Sequence, residues 1–212
     1  MVFMKEKSML FIKELITRYP SLKNCESKII DAVECIILCF KGGNKLLVCG
    51  NGGSAADSEH IVGELMKGFV LPRKLNNDLV DKINDKDLTD SLQYGLPAIS
   101  LVSHTALSTA FANDRLPTAC FAQQVLGYGK EGDVLFNIST SGNSVNCVYA
   151  AKVANAIGVK TIALTGAKES KLKELSLITI QAPSIETFKI QEFHLPIYHA
   201  MCLAIENEFY GE

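Results

Sequence analysis

Two of the four histidines in this chain sit at spacings that suggest chemistry. His60 and Glu64 are four positions apart in "SAADSEHIVGEL", so on a helix both side chains lie on one face. An imidazole beside a carboxylate can ligate a divalent metal or move a proton. Alone, such a pair is also an ordinary helix-surface contact. It gains weight from the segment before it, "LLVCGNGGS", which runs from an apolar strand through Gly50, Gly52 and Gly53 into Ser54. A second set of ligating types, Gln191, Glu192, His194 and His199, falls in "KIQEFHLPIYHA" near the far end of the chain.

The glycine segment has a counterpart in "STSGNS", Ser139 to Ser144, which also lies between an apolar run and a helical stretch at about 145–157. Hydroxyls packed around glycine at a helix start suit a phosphate. Free backbone N–H groups point outward there, the helix dipole favours an anion, and Ser and Thr donate without adding charge. One of these hydroxyls could simply cap the helix, but four within six residues exceed what a cap requires. The first loop also reads G-x-G-x-x-A, a partial dinucleotide fingerprint. That use calls for an acidic residue about 20 positions on, and "GFVLPRKL" at 68–75 offers none.

Elements that could hold these loops follow from the hydrophobic pattern. Two helices lead, over 4–18 and 22–40. The first has apolar positions at Phe3, Leu10, Phe11, Leu15 and Ile16, and the second is apolar nearly all round, so it is buried on more than one side. Short runs of Val, Ile and Leu then recur at 46–50, 98–103, 134–140, 161–166 and 177–182, separated by helical stretches. That order predicts an α/β fold with a doubly wound, five-stranded parallel sheet covered on both faces. The chain reads as a single domain, 1–212, with residues 1–42 as an N-terminal helical pair. Residues 72–95 exceed a connection of about 2–6 residues and are rich in Asp, Asn and Lys, so they read as a surface insertion.

Composition narrows the function classes. Net charge is −2 with no basic cluster, so nucleic acid is not a favoured partner. The longest apolar run, "IILCF", is far below the roughly 20 residues of a membrane span, and the N-terminus is too charged for a secretory signal. Seven cysteines, an odd number lodged in apolar strings with no C-x-x-C, predict reduced, buried thiols and a cytoplasmic protein. Cys35 and Cys39, four apart, are read as core packing for want of further ligands nearby.

Four motifs, "CGNGGSAADSEHIVGEL", "FANDRLPTACFAQQV", "GKEGDVLFNISTSGNS" and "TFKIQEFHLPIYHA", together resemble the sugar isomerase (SIS) family. Within it they are most similar to the branch acting on sedoheptulose 7-phosphate. The resemblance implies an SIS fold and an aldose–ketose isomerase working through an enediol. It implies a substrate-binding set of Asn51, Gly52, Gly53 and Ser54, of Asn113 and Asp114, and of Ser139, Thr140, Ser141, Ser144 and Gln191. It also implies zinc, one ion per subunit, held by His60, Glu64, Gln191 and His199. Glu64 and His199 would share the acid–base work, with Glu64 assigned as base; the family permits the reverse. Two other readings stand beside this one: an isomerase of another phosphosugar, and a non-catalytic SIS protein that binds a phosphosugar or serves as a replication-initiation adaptor. Such relatives are expected to lose the carboxylate after the helix histidine or the last histidine, and here Glu64 and His199 are both present.

Two expectations concern assembly. The leading helices carry more apolar surface than one sheet covers, which predicts a symmetric dimer or, in preference, a homotetramer. On a straight helix Gln191 and His199 stand about 12 Å apart along the axis and roughly 80° around it. The ligand set is therefore expected to bridge two chains, unless Pro196 bends the helix enough to bring the pair together.

Overall fold

In the computed structural model, which describes residues 4–211, the five apolar runs form β1 (Leu46–Gly50), β2 (Ala98–Ser100), β3 (Val134–Ile138), β4 (Lys160–Thr165) and β5 (Ile178–Gln181). All pairings are parallel, in the order β2-β1-β3-β4-β5. β1 pairs along its whole length with β3, from Leu46 opposite Val134 to Gly50 opposite Ile138. The sheet winds outward in both directions from this pair, which makes the carboxyl ends of β1 and β3 the switch point where ligands bind in such sheets. The expected doubly wound sheet is therefore observed. β2 is shorter than its apolar run, because Val102 donates its N–H to Ser100 Oγ and turns the chain out of the sheet.

Alternating side chains divide each strand between two cores. Leu46 and Val48 of β1 join Val134, Phe136, Ile162 and Leu164 under α1 (Glu6–Arg18), α2 (Glu26–Lys41), α3 (Gly53–Met66) and α10 (Thr187–Tyr210). Leu47, Cys49, Leu135 and Ala163 face the other way, toward α7 (Cys120–Tyr128), α8 (Val145–Ala156) and α9 (Lys171–Leu175). All seven cysteines are free and buried, as their apolar surroundings predicted. Among the described residues, no helix is long and apolar enough to cross a membrane.

The leading helices differ from the pattern read in the sequence. Residues Pro20–Cys25 form a 3-10 segment, so α2 starts at Glu26. In α1 the buried line is Ser8, Ile12 and Leu15, while Leu10 is exposed. Ser8 lies inside because Asn207 of α10 donates to its Oγ across a buried contact of 3.0 Å. Phe3 lies outside the described residues. Residues 72–95 carry two short helices, α4 (Asn77–Ile83) and α5 (Lys86–Ser91), each with a capping side chain, Asn76 and Asp85. The remaining helix, α6 (Thr105–Asp114), buries none of its residues in this chain.

One polar knot ties the loop after α3 to α10. Glu206 is fully buried, and its carboxylate accepts from the backbone N–H groups of Phe69 (2.7 Å), Val70 (2.9 Å) and Leu71 (3.2 Å). It also accepts from Arg73 Nε at 3.0 Å and Nη2 at 2.9 Å. The buried guanidinium in turn donates to the carbonyls of Leu65 and Glu64 at the end of α3, where a cation suits the helix dipole. Removing the carboxylate would leave a buried cation and three N–H groups without their partner. Glu206→Ala is expected to lower unfolding free energy by about 3–5 kcal/mol in a denaturant titration; a loss below about 1 kcal/mol would show that the knot contributes little.

Candidate active site

The two glycine loops leave the sheet side by side at the switch point. Gly52 adopts φ 57° and ψ −120°, a conformation that suits glycine and lets the chain reverse straight into α3. At Gly53 a Cβ would stand 2.5 Å from Nε2 of Gln191, so a side chain here would push the Gln191 amide away from the loop. Asn51 and Asn146 exchange amide hydrogen bonds, Asn51 Nδ2 to Asn146 Oδ1 at 3.0 Å and Asn146 Nδ2 to Asn51 Oδ1 at 2.7 Å. The loop after β1 is thereby clamped to the first turn of α8. Ser54 is buried, and its carbonyl accepts from Ser58 Oγ.

In the second loop Ser144 occupies the N-cap of α8, yet its side chain makes no capping hydrogen bond. Its Oγ lies 2.9 Å from Oγ of Ser139 instead. Ser141 Oγ accepts from the N–H of Asn143, and Asn143 Oδ1 accepts from the N–H of Lys171. The hydroxyls thus brace one another around a helix start rather than cap it, which is the arrangement an anion cradle needs. Thr140 and Ser141 line a cleft of about 330 Å³ together with Lys168, Ser184 and Thr187.

Helices α3 and α10 run side by side in the same direction, so partners rise along them together: Gly53 with Gln191, Asp57 with Tyr198, His60 with His199. The His60 and His199 rings lie 5.0 Å apart, centroid to centroid, nearly perpendicular. Nε2 of His60 stands 3.2 Å from Oε1 of Glu64, and Oε2 of Glu64 lies 3.1 Å from Nζ of Lys67. Nε2 of His199 is buried without a hydrogen-bond partner. Burial lowers the pKa of His199, the neighbouring His60 and Arg18 lower it further, and Glu64 works against them, so the neutral ring is favoured.

These observations test the implied metal. A buried imidazole nitrogen with no partner, beside an imidazole nitrogen opposed to a carboxylate oxygen, is a donor set suited to a divalent cation. Among the described residues, no three His, Cys, Asp or Glu side chains form a ready-made cage, since Glu64 also leans toward Lys67. The residue types and the approach of His60 to both Glu64 and His199 fit such an ion. His60, Glu64 and His199 meet within one chain, so no second chain is required for these three. Gln191 lies two helical turns earlier, against Gly53, and α10 continues unbroken through Pro196.

Other candidates lie elsewhere. Asn113 and Asp114 bond each other at the exposed end of α6, and among the described residues neither hydrogen-bonds to the loops after β1 and β3. Glu192 is exposed and, among the described residues, makes no polar contact with the cluster. Sequence reasoning missed Asp57, Tyr198, Asn146, Arg73 and Glu206, whose roles depend on contacts between distant segments. Only Asp57 carried a local signal: it lies three positions before His60 and therefore on the same helix face.

Comparison with known proteins agrees with this geometry. A family model described as SIS domain matches residues 11–94 and 93–166. A phosphoheptose isomerase of Clostridium acetobutylicum is 41% identical over 180 residues, 85% of this chain and 82% of that protein. One of Helicobacter pylori is 37% identical over 204 residues, 96% of this chain and 95% of that protein. Among solved structures, a phosphoheptose isomerase from Neisseria gonorrhoeae superposes with a TM-score of 0.74 at 32% identity, covering 92% of this chain and 94% of that one.

One histidine of α10 turns away from the cluster. His194 is fully buried, its Nε2 lies 3.3 Å from the carbonyl of Thr165, and its Nδ1 has no partner. Burial pushes its pKa down to about 4, against a smaller opposing effect of the Thr165 hydrogen bond. The unfolded chain, with an ordinary histidine pKa near 6.5, therefore binds a proton over a range where the folded chain does not. His194 is expected to cost stability as pH falls from about 6.5 to about 4, by about 3 kcal/mol in all. In His194→Gln that part of the pH dependence should vanish from urea-unfolding curves; an unchanged slope would assign it to other groups.

Proposed function

This chain belongs to the SIS domain family, and on that premise we propose that it is an aldose–ketose isomerase of a phosphosugar, converting sedoheptulose 7-phosphate to D-glycero-D-manno-heptose 7-phosphate. The observation that carries this reading is the meeting of His60, Glu64 and His199 between α3 and α10, with α3 itself leading out of the glycine loop at the β1/β3 switch point. The names of its relatives supply the heptose.

The phosphate is held at Ser139, Thr140, Ser141 and Ser144 and at the start of α8, with the sugar extending toward Gln191 and Glu64. Glu64, with a side chain 14% exposed, takes a proton from C1 of the ketose, and the proton returns at C2. His199, favoured as the neutral ring, carries the hydroxyl proton between the two substrate oxygens. Zinc held by His60, Glu64 and His199 would supply Lewis-acid polarisation of the carbonyl and stabilise the developing oxyanion. Gln191, two helical turns away against Gly53, would join as fourth ligand only from another copy of the chain. The exclusion of water that this needs comes from copies of the chain. Phe11 and Leu195 (42% exposed) line a cleft between α1 and α10 into which His199 opens, and a second copy covering it suits the proposed homotetramer. Reduced, buried thiols support a cytoplasmic setting.

Turnover of sedoheptulose 7-phosphate, followed by appearance of the aldose, is expected to stop in excess chelator, to recover with zinc, and to be absent in Glu64→Gln at unchanged oligomeric mass. Full activity in chelator would remove the metal from the reading, and full activity in Glu64→Gln would remove the base. Binding of phosphosugar without turnover by the zinc-loaded protein would make it a binding protein.

Ser141→Ala combined with Ser144→Ala is expected to raise KM by more than tenfold, since each lost hydroxyl leaves an anion short by about 1–3 kcal/mol. Unchanged KM with collapsed thermal stability would reassign the hydroxyls to folding. Light scattering of the wild type is expected to give four chains per particle; a monomer at micromolar concentration would overturn the assembly.

A further inference from the structure

Beneath the His60 ring lies a hydrogen-bonded pair that touches neither substrate loop. Tyr198 is 1% exposed, and its hydroxyl donates to Oδ1 of Asp57 at 3.1 Å. The same hydroxyl lies 3.0 Å from Nδ1 of His60. A phenol has one proton. If it were turned to Nδ1, the phenol oxygen and the carboxylate would face each other as two acceptors with nothing between them. With the proton on the Asp57 side, the phenol oxygen is left as acceptor, and Nδ1–H of His60 must be the donor. The neutral ring then carries its lone pair on Nε2, the nitrogen 3.2 Å from Glu64.

We propose that Tyr198, held by Asp57, is a positioning residue that fixes the tautomer and orientation of His60 so that the Nε2 lone pair faces the carboxylate of Glu64. Packing reinforces the hydrogen bonds. The Tyr198 ring stands nearly perpendicular to those of His60 and His199, with centroids 5.5 and 5.0 Å away. Asp57 lies three residues before His60 on α3, while Tyr198 reaches over from α10, so the relay also registers one helix against the other. Ligating imidazoles commonly donate their second N–H to an outer partner that sets which nitrogen is free. Here the chain Asp57–Tyr198–His60 performs that service through a phenol rather than through a carboxylate directly.

The inference rests on the role of His60 in the proposed site, but its first readout requires no turnover. In protein labelled with ¹⁵N-histidine, long-range proton–nitrogen spectra at pH 8 without metal are expected to show His60 protonated at Nδ1, the signal being assigned by its loss in His60→Asn. In Tyr198→Phe, which keeps the ring and removes only the hydroxyl, His60 should shift toward the Nε2–H tautomer at a similar melting temperature. Zinc affinity, measured by competition with a chromophoric chelator, should fall about 10–100-fold. Asp57→Asn provides a second variant that should move the same His60 signal. A wild-type His60 protonated mainly at Nε2, or a His60 signal unmoved in Tyr198→Phe, would overturn the assignment. So would a shifted tautomer with unchanged zinc affinity. Failure of the wild type to bind zinc would overturn the proposed metal site alone, since the tautomer measurement still decides the role of Tyr198.

Discussion

The carboxylate of Glu206 is the point from which the site is built. It has no solvent contact, and it gathers three backbone N–H groups and a guanidinium from the segment following α3. Through Arg73 the same carboxylate reaches the carbonyls of Glu64 and Leu65, and so grips the end of the helix that carries Glu64. A buried ion pair is a poor source of net stability compared with a packed apolar cluster, because desolvating both charges offsets most of their attraction. What this one supplies is position: each hydrogen bond has direction, and together they fix where α3 ends relative to α10.

That anchor sets the register of everything above it. Two helices running in the same direction present partners at matching heights, and the pairs Gly53–Gln191, Asp57–Tyr198 and His60–His199 follow from the knot upward. At the far end of the register the Gln191 amide lies over Gly53, in space that a side chain there would take. A second constraint acts across the sheet. Because β1 and β3 pair from first residue to last, the loops that leave them emerge at one height, where the Asn51–Asn146 pair joins them. The anion cradle and the acid–base cluster are thus held by independent devices that meet at α3.

Much of this was legible in the sequence, and the limits of that legibility are physical. Five apolar runs alternating with helices determine a parallel sheet because each strand must be buried on both faces, and the strands appear within a few residues of where those runs lie. The paired spacing of His60 and Glu64 was visible because helical periodicity is local. The helical reading of α1 placed Leu10 inside and left Ser8 unremarked, because nothing within α1 reveals that Asn207, 199 positions away, satisfies that hydroxyl. The same blindness hid Arg73 and Glu206: isolated charged residues in a sequence look solvated, and only the tertiary fold shows one filling the other's buried valences. The expectation of ligands from two chains follows from α10 alone, and it still stands for Gln191, which lies two turns from His199 on an unbroken helix. His199 finds its partners on α3, a neighbour that no single-helix calculation includes.

The division of charge across the site gives the arrangement its chemical sense. The loop proposed to take the phosphate offers hydroxyls and a helix start, neutral donors that would hold an anion without fixing a counter-charge beside the reacting carbons. The charged groups lie further along α3, about three turns beyond Gly53, where Glu64 is flanked by His60 and Lys67 and stays partly shielded from water. Burial, with Arg18 nearby, lowers the pKa of His199 and favours its neutral ring, which suits the proton-carrying role proposed for it. A carboxylate, an adaptable imidazole and an oriented second imidazole at one end, with an uncharged grip at the other, separate holding the substrate from changing it. That separation follows from helices whose relative height is set at Glu206, which no proposed step uses.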